Sequence, residues 1–377
     1  MESARSRKLL DPESKNTWSS ECIENRVLIR AGKSGAEKES EKSFADNSAA
    51  LSYAEKEEWA RLKKGFVLDS AGAAPGEPRM HRYLGRGATG AMVAESLGDG
   101  NYIFNQFDES VERDKIFILG EDACIKTVLP LPERNSLLWA ARYCTEQQIL
   151  LLLVDHQIFS YSIPNQSFEK LCERNKIPAS FLSLRGTLAA WYAEPEIVLQ
   201  DLNTARTVQR INITPEKYSN HSLQLKAELS PDGQTLACCS RTKEISLFDV
   251  ESGKQITMIN GKFEKAKKLA FSADGRYLLV LEEYGSWGLH CFDLLERNER
   301  KDWIELNGLN NADIAVDESG RLAVSKNQWI EIYDLATTAS VTTFRADHVV
   351  KSCAISFRGN SLSVKADSGC ASIYSLR

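Results

Sequence analysis

Long hydrophobic runs are missing from this chain of 377 residues. The longest aliphatic run, Ile149–Val154, is far shorter than the roughly 20 apolar residues that a membrane-spanning helix needs. The first residues also contain no apolar segment of the length that a secretory signal peptide requires. We therefore expect a cytoplasmic protein that does not bind to a membrane.

Metal-binding and cofactor-binding patterns are equally scarce. The nine cysteines have irregular spacing and form no C-x-x-C pair, and the five histidines are scattered without an H-E-x-x-H motif. Residues 85–90 match the letters G-x-G-x-x-G, but the alternating strands and helices of a dinucleotide-binding fold are not indicated around them. The sequence predicts free thiols in a reducing compartment, no metal and no cofactor.

Neither sign of charge dominates. The chain has 47 Lys+Arg and 52 Asp+Glu, which gives a formal net charge of -5. This balance argues against a general affinity for phosphate backbones. The hydrophobic fraction of 42% and the charged fraction of 26% are those of an ordinary globular protein.

A repeating unit is the most informative feature that is present. Residues 229–259 predict two short strands around a tight turn at Asp232, a third strand that ends at Asp249, and a fourth strand after a turn at Gly253. Comparable third-strand ends recur every 41 to 48 residues in the second half of the chain. They are Gln200-Asp201, Phe248-Asp249, Phe292-Asp293, Tyr333-Asp334 and Tyr374-Ser375.

Two earlier marks, at Tyr161-Ser162 and at residues 123–125, continue the series at intervals of 39 residues. Four strands in a period of about 40–45 residues are typical of β-propeller blades, so the seven marks predict seven blades. Because the last mark lies at the end of the sequence, we expect a strand from residues 79–97 to complete the last blade. Four aspartates that recur at one position of the repeat are expected to cap turns with hydrogen bonds. They are Asp201, Asp249, Asp293 and Asp334.

These units resemble WD40 repeats over about residues 220–377. The aromatic-Asp dipeptides and the x-D-G turns carry the resemblance, although Phe-Asp or Tyr-Asp stands where the family has Trp-Asp. The resemblance implies a rigid propeller whose loops bind unknown protein partners. Three aromatic residues of blade five and its following segment are candidates for that surface, and buried packing is the alternative. They are Tyr284, Trp287 and Trp303.

The first 70 residues differ in texture from the repeats. Residues 18–29 predict a pair of strands with a turn at Glu24, followed by a polar bend at 30–35 and a charged stretch. A helix of about 17 residues should follow Asp46, capped by Asn47 or Ser48 and ended by Gly65. Its predicted apolar stripe consists of Leu51, Ala54, Trp59 and Leu62.

This order of elements over residues 8–68 resembles a WGR domain, with Ala31-Gly32-Lys33 in place of Trp-Gly-Arg. The resemblance implies contact with DNA or RNA. Four basic residues would form the contact surface, and solvated loop charges are the alternative. They are Arg30, Lys33, Lys38 and Lys42.

Together these observations predict a mainly β protein. It has a small α+β WGR-like domain over residues 1–68, a linker and closing segment over 69–90, and a seven-bladed WD40-like β-propeller over 91–377. The preferred function is a non-enzymatic interaction protein that serves as a scaffold for protein partners. The alternatives are sensing of DNA ends or strands by the WGR-like domain, and an enzyme with its site in the propeller channel. Titratable side chains that meet in the channel would favour the enzyme.

Overall fold

The computed structural model describes residues 5–70, 73–87, 92–133, 136–155, 157–172, 181–219, 222–300 and 302–376. Within these ranges the chain forms 35 strands and one helix. The glycine-rich motif at 85–90 falls partly outside the described residues, and His156 and His221 fall wholly outside them.

The N-terminal part contains six strands and the helix. They are β1 (Ser6–Leu10), β2 (Asn16–Ile23), β3 (Arg26–Lys33), β4 (Ala36–Ser43), α1 (Asn47–Leu62), β5 (Val67–Asp69) and β6 (Pro78–Tyr83). Six separate four-stranded antiparallel sheets follow along the chain, and we number them as blades 1 to 6.

Blade 1 consists of β7 (Ala94–Gly98), β8 (Asn101–Asp108), β9 (Arg113–Gly120) and β10 (Ile125–Pro130). Blade 2 consists of β11 (Leu138–Cys144), β12 (Ile149–Val154), β13 (Gln157–Ser162) and β14 (Ser167–Cys172). Blade 3 consists of β15 (Leu182–Arg185), β16 (Leu188–Ala193), β17 (Glu196–Asp201) and β18 (Arg206–Asn212). A hairpin of β19 (Glu216–Ser219) and β20 (Ser222–Gln224) leads to the next blade.

Blade 4 consists of β21 (Lys226–Leu229), β22 (Thr235–Arg241), β23 (Glu244–Asp249) and β24 (Gln255–Asn260). Blade 5 consists of β25 (Lys265–Phe271), β26 (Tyr277–Glu283), β27 (Leu289–Asp293) and β28 (Asn298–Glu299). Blade 6 consists of β29 (Asp313–Val316), β30 (Arg321–Lys326), β31 (Trp329–Asp334) and β32 (Ser340–Arg345). The chain ends with β33 (Cys353–Arg358), β34 (Ser361–Ala366) and β35 (Cys370–Ser375).

The sequence of each strand matches its position in a blade. Strands β22 and β26 are apolar along most of their length and are buried, because a neighbouring sheet covers each face. Strand β24, at the outer edge of its blade, is mostly exposed. Apolar side chains of blades 3 and 4 share one hydrophobic core, and those of blades 4 and 5 share the next. Burial of these faces against each other holds the propeller together.

The last strands belong to a nine-stranded sheet, which we name the terminal sheet. Its order is β33-β34-β35-β6-β5-β1-β2-β3-β4. Strand β6 pairs antiparallel with β35, which confirms the expected closing strand. The expected count of seven separate blades is wrong, because only six sheets of the described chain stand as separate four-stranded blades. Strand β5 pairs with the free edge of β6, so the last propeller strands continue into the N-terminal strands.

An α+β domain separate from the propeller is not evident for the same reason. Residue Leu68, at which we placed the boundary, lies inside β5 of the terminal sheet. Trp18 of β2 and Leu62 of α1 share one hydrophobic core with Phe344 and Tyr374 of the propeller. The predicted hairpin is present as β2 and β3, whereas the charged stretch that follows forms β4, the open edge of the sheet.

Helix α1 differs from the prediction in its cap and in its buried face. Asp46 is the N-cap, since its side chain accepts a hydrogen bond of 2.8 Å from the amide of Ala49. Gly65 follows the helix with φ of 95°, as the predicted helix end requires. The buried residues are Ala50, Ala54, Glu58 and Leu62. The sequence pattern missed Glu58, because ion pairs and not hydrophobicity account for its burial.

The predicted turn-capping role of the repeated aspartates is confirmed. The Oδ1 atom of Asp249 accepts hydrogen bonds from the amide and the hydroxyl of Ser252, at 2.7 and 2.5 Å. Asp201 accepts a hydrogen bond from the amide of Asn203 at 2.8 Å, and Asp293 accepts one from the amide of Leu295 at 3.0 Å. The fourth of them, Asp334, accepts from the amide of Thr337 at 2.7 Å.

Candidate functional site at the channel entrance

The innermost strands of the blades and of the terminal sheet surround a central channel. Neighbouring inner strands contact each other around the whole ring, from β7 through β11, β15, β21, β25 and β29 to β33 and back. They enclose a cavity of about 920 Å³. We call the end at which these strands begin the entrance, and the opposite end, where they turn into the second strands, the exit.

The inner strands place more cations than carboxylates on the cavity wall. The six cations are Arg142, Arg185, Lys226, Lys267, Lys268 and Arg358. The three carboxylates are Glu95, Glu228 and Asp313. Further acidic residues line the cavity at the exit, in the turns after β11 and β29. They are Glu146, Asp317 and Glu318.

Each carboxylate of the inner strands pairs with one cation of a neighbouring strand. Glu228 accepts a hydrogen bond of 2.9 Å from Arg185, and Asp313 accepts one of 2.7 Å from Lys268. The carboxylate of Glu95 lies 3.7 Å from the guanidinium of Arg142. With the three acids of the exit turns included, the cavity lining contains six cations and six carboxylates.

Burial acts strongly on the charged groups of the wall. It raises the pKa of Glu95, and four surrounding cations act in the opposite direction. They are Arg142, Lys268, Arg358 and Arg185. Burial and three nearby lysines together lower the pKa of Lys226 to about 8, against the effect of Glu283. These are Lys265, Lys267 and Lys268.

A loop with two aromatic residues stands beside this entrance. It covers residues 284–288, between β26 and β27, and we name it the aromatic loop. Tyr284 is 42% exposed, and its ring centre lies 5.3 Å from that of Trp287. The ammonium group of Lys265, the first residue of β25, lies 5.6 Å from the Tyr284 ring centre and 3.0 Å from Glu283. Lys265 thus connects the aromatic loop to the beginning of β25.

The backbone of the aromatic loop is strained and tightly held. Tyr284 and Trp287 have φ of 77° and 53°, in the left-handed region that side chains with a Cβ atom rarely adopt. The buried carboxylate of Glu282 accepts hydrogen bonds from the Ser286 hydroxyl and the Gly288 amide, at 2.5 and 3.2 Å. It also accepts one from the amide of Glu264 at 2.7 Å. Burial would raise the pKa of Glu282, but these donors outweigh it and the pKa is lowered.

Not all predicted aromatic residues share this surface. Trp303 is half-buried and packs against the hydrophobic core between blades 5 and 6. The guanidinium of Arg300 lies 5.5 Å from its ring centre. The structure thus brings Tyr284 and Trp287 together at the entrance and gives Trp303 a packing position.

The four basic residues of the N-terminal strands do not form one patch. Arg30 donates a hydrogen bond of 2.8 Å to Glu39 on one face of the terminal sheet. Lys38 and Lys42 lie on β4 at positions that alternate with Glu39 and therefore face the other side. The Lys42 ammonium lies 4.2 Å from the ring centre of Tyr53. Lys33 is exposed at the end of β3, on the same face as Lys38 and Lys42. Arg30 alone is separated from the other three, and contact of these residues with nucleic acid stays a prediction.

A buried cluster between α1 and the propeller was not predicted. Glu58, His81 and His348 place one ligand atom each within 4.8 Å of one another, which is a spacing that a metal ion could use. Arg5 already donates to Glu58 at 2.9 Å and to Asp347 at 3.1 Å. The guanidinium supplies the positive charge that the carboxylates need, so the cluster has a complete structural role without a metal. The sequence signal was weak, because His81 and His348 are far apart in the chain.

The same cluster contains a serine, a histidine and an aspartate in contact. His81 Nδ1 lies 2.8 Å from the Ser372 hydroxyl, and His81 Nε2 lies 3.2 Å from Asp347 Oδ2. A nucleophile, a base and an acid in this order occur in hydrolases. Here the Ser372 side chain is only 1% exposed, so a substrate has no access to it.

Comparisons with known proteins identify the fold and no family. The sequence matches no protein-family model, and it matches no curated protein. The resemblance to a WGR domain is therefore not supported. A solved crystal structure of the mitotic checkpoint complex is similar in fold, with a TM-score of 0.59 and 10% sequence identity, over 82% of this chain and 90% of that chain. At this identity the similarity shows a β-propeller fold alone.

The fold by itself does not identify a function. The number of solved chains that match it is 1553, and propellers of this kind carry many unrelated functions. Helix α1, the only helix in the described ranges, is too short and too polar to cross a lipid bilayer.

Proposed function

We propose that this chain is a non-enzymatic interaction protein that binds a protein partner at the aromatic loop and the channel entrance. The observation that carries the proposal is the backbone of Tyr284, which is left-handed although the side chain is large and 42% exposed. A conformation of this kind costs about 1–3 kcal/mol and persists only where the surroundings impose it. Glu282 holds the loop that carries Tyr284, by accepting hydrogen bonds from Ser286 and Gly288.

The arrangement suits recognition because it presents an aromatic side chain without a large loss of entropy on binding. Aromatic residues held in advance by their own protein are typical of the few positions that dominate interface energies. The lysines next to the loop add polar contacts around this apolar anchor. A propeller supports such a surface well, since its loops extend from a rigid scaffold.

The channel chemistry supports binding over catalysis. Titratable side chains do meet there, as the enzyme hypothesis requires, but the carboxylates are held in ion pairs by neighbouring cations. Cys353 is the only thiol among the described lining residues, and burial raises its pKa to about 12, which is the reverse of activation. We therefore propose that the channel is not an active site.

A photo-crosslinking experiment tests the proposed surface. A photoreactive phenylalanine derivative is introduced at Tyr284 and, as the matched control, at Leu295. Leu295 is 75% exposed in the turn between β27 and β28, at the exit side of the same blade. We expect defined crosslinked proteins from position 284 that are missing from position 295, and their loss when Glu282→Gln loosens the loop. Identical products from both positions would contradict the proposal.

A further inference from the structure

We infer that strand β4, the open edge of the terminal sheet, binds an extended segment of a protein partner, which joins the sheet as an additional strand. The segment carries basic side chains at every second position, where it lies opposite the glutamates of β4. This inference goes beyond the proposed function, because β4 belongs to the terminal sheet and the aromatic loop belongs to blade 5.

Strand β4 differs from the outer strands of the blades. In blades 1, 2, 3, 4 and 6 the outer strand pairs with a register shift, which marks a bulge or an irregularity. In blade 5 the outer strand, β28, has only two residues. Bulges and short strands prevent an open sheet edge from pairing with another chain. Strand β4 has neither, since its eight residues pair with β3 in one continuous register, and it contains no proline.

The free backbone groups of β4 follow from the hydrogen bonds of the hairpin. The amide of Phe44 donates a hydrogen bond of 2.8 Å to the carbonyl oxygen of Asn25, one step beyond the last pair of the ladder. Because bonded and non-bonded pairs alternate in an antiparallel ladder, every second residue before Phe44 bonds to β3. The residues between them direct their N–H and C=O groups to the open edge, where an added strand would bond to them. They are Glu37, Glu39, Glu41 and Ser43.

The side chains of β4 specify the charge of the added strand. The glutamates lie on the face of the sheet that α1 does not cover, since α1 packs against Val27 and Cys22 on the other face. Residues directly opposite each other on antiparallel strands share a face, and pairs of opposite charge are favourable there. Basic residues of the partner therefore fit opposite the glutamates. Acidic or neutral residues fit the other face, which carries Lys38 and Lys42.

The ion pairs within the sheet leave room for this contact. Arg30 donates to Oε2 of Glu39 at 2.8 Å, and Arg26 donates to Oε1 of Glu41 at 3.3 Å. Both pairs are about half exposed, and both arginines lie on β3, away from the open edge. Among the described residues, the second carboxylate oxygen of Glu39 and of Glu41 has no partner. Both oxygens of Glu37 accept hydrogen bonds within the N-terminal strands, so Glu39 and Glu41 are the recognition positions.

The same charges argue against a second copy of this chain as the added strand. Two antiparallel copies of β4 related by a two-fold axis present the same face of the sheet on the same side. Their rows of glutamates would then meet along that face. Because like charges directly opposite each other are destabilising, the edge favours a different, basic strand.

Fluorescence anisotropy of the full-length protein with two labelled peptides tests the inference. Both peptides have the length of β4 and contain equal numbers of lysine and glutamate. In one the two residue types alternate, and in the other all lysines precede all glutamates. We expect the alternating peptide to bind about tenfold more tightly than the block peptide, with an affinity that falls as salt is added. Absence of binding, or equal affinity for both peptides, would overturn the inference.

Variants of β4 locate the site. Glu39→Pro removes an N–H of the open edge and no hydrogen bond to β3, so this variant should fold and lose binding. Met258→Pro is the matched control, because the alternation of bonded pairs in β24 also directs the Met258 amide to an open edge. This control should bind like the unchanged protein.

A charge variant keeps the test decisive if proline disturbs the strand. Glu39→Gln/Glu41→Gln retains the backbone and should weaken binding of the alternating peptide by about threefold or more. Circular dichroism establishes that each variant is folded. Unchanged affinity in a folded β4 variant would refute the site.

Sedimentation velocity tests the alternative occupant. A dimer of the unchanged protein that Glu39→Pro converts to a monomer would show that a second copy occupies the edge, and would overturn the inference. We expect crosslinks from position 284 to persist in Glu39→Pro, because the two surfaces belong to different sheets. Failure at either surface therefore leaves the other proposal standing.

Discussion

The Oε1 atom of Glu58 lies 3.2 Å from Nε2 of His348, and both side chains are buried. The contact joins helix α1 to the segment that leads into the last propeller strands. Arg5 and Asp347 complete the connection, since Arg5 donates hydrogen bonds to the carboxylates of Glu58 and Asp347. The N-terminal strands are thus attached to the propeller by a buried ionic network as well as by a continuous sheet.

Removal of the Glu58 charge should weaken this attachment. In Glu58→Gln the contacts with Arg5 and His348 lose their charge, which should lower the free energy of unfolding by about 1–3 kcal/mol. Glu57→Gln is the matched control, because Glu57 lies on the same helix and makes only a partly exposed pair with Arg61. Urea denaturation measures both variants. Equal stability of the two would contradict a structural role of the network.

The same network should make the protein less stable in acid. Burial would raise the pKa of Glu58, but its hydrogen bond to His348 and the charges of His348 and Arg5 lower it to about 2, below the ordinary value of 4.5. The pKa of Asp347 is likewise well below its ordinary range, chiefly because of Arg5 acting against burial. A carboxylate with a depressed folded-state pKa stabilises above its unfolded pKa, and this contribution is lost as the pH falls from about 4.5 towards 2.

The buried His81 side chain should also make the protein less stable as the pH falls. Burial lowers its pKa from the ordinary 6.5, against the effect of Asp347, so the unfolded chain takes up a proton that the folded chain does not. Stability should therefore already decline below about pH 6.5. Unfolding free energies measured against pH would check this, and Glu58→Gln should show a flatter profile in the acid range. A profile without a slope below pH 6.5 would be the contrary result.

Lys365 should extend the same trend, stability that rises with pH, to higher pH. It is fully buried and donates to the carbonyl oxygens of Gly85 and Gly369, at 2.8 and 3.2 Å. Burial lowers its pKa to about 7 from the ordinary 10.5. Between these values the unfolded chain binds the proton and the folded chain does not, so stability rises with pH, by up to about 1.4 kcal/mol per unit. The stability of the unchanged protein relative to Lys365→Met should increase over this range, whereas its stability relative to Lys254→Met should stay constant.

Trp18 tests whether the terminal sheet is one cooperative unit with the propeller. Its side chain is fully buried in the core that contains Phe344 and Tyr374. Trp18→Ala should lower the free energy of unfolding by about 3–5 kcal/mol. Calorimetry should show one unfolding transition, at a lower midpoint temperature than in the unchanged protein. Ile23→Ala, at a 43% exposed position of the same strand, should have little effect. Two separate transitions, of which only one moves, would show that the N-terminal strands fold independently.

Tyr284 should show a conflict between stability and binding. Tyr284→Gly relieves the left-handed strain, so the free energy of unfolding should rise by about 1 kcal/mol. The same change removes the aromatic contact, and crosslinking from a photoreactive residue placed at Trp287 should decrease. Leu295→Gly is the control that should lose stability and retain binding. A destabilised Tyr284→Gly variant with intact binding would count against both the strain and the surface.

Local patterns determined much of the architecture in advance. The periodic turns and strands predicted a propeller, the sequence end at Tyr374-Ser375 predicted the closing strand, and the repeated aspartates predicted their own hydrogen bonds. These features depend on residues close in the chain, so the sequence contains them directly. The same patterns marked Tyr284, Trp287 and Trp303 as candidate surface aromatic residues, of which Trp303 packs against the core between blades 5 and 6.

Tertiary structure alone decided how distant segments meet. Strand β5 pairs with β6 and merges the N-terminal strands with the last propeller strands, which no local pattern signals. Glu58 is buried because Arg5 and His348 reach it, although its charge predicts exposure. The charged channel wall arises because separate inner strands place basic and acidic side chains around one channel. Pairing of strand edges and convergence of charges depend on contacts between residues far apart in the chain, and hydrophobic periodicity carries no information about them.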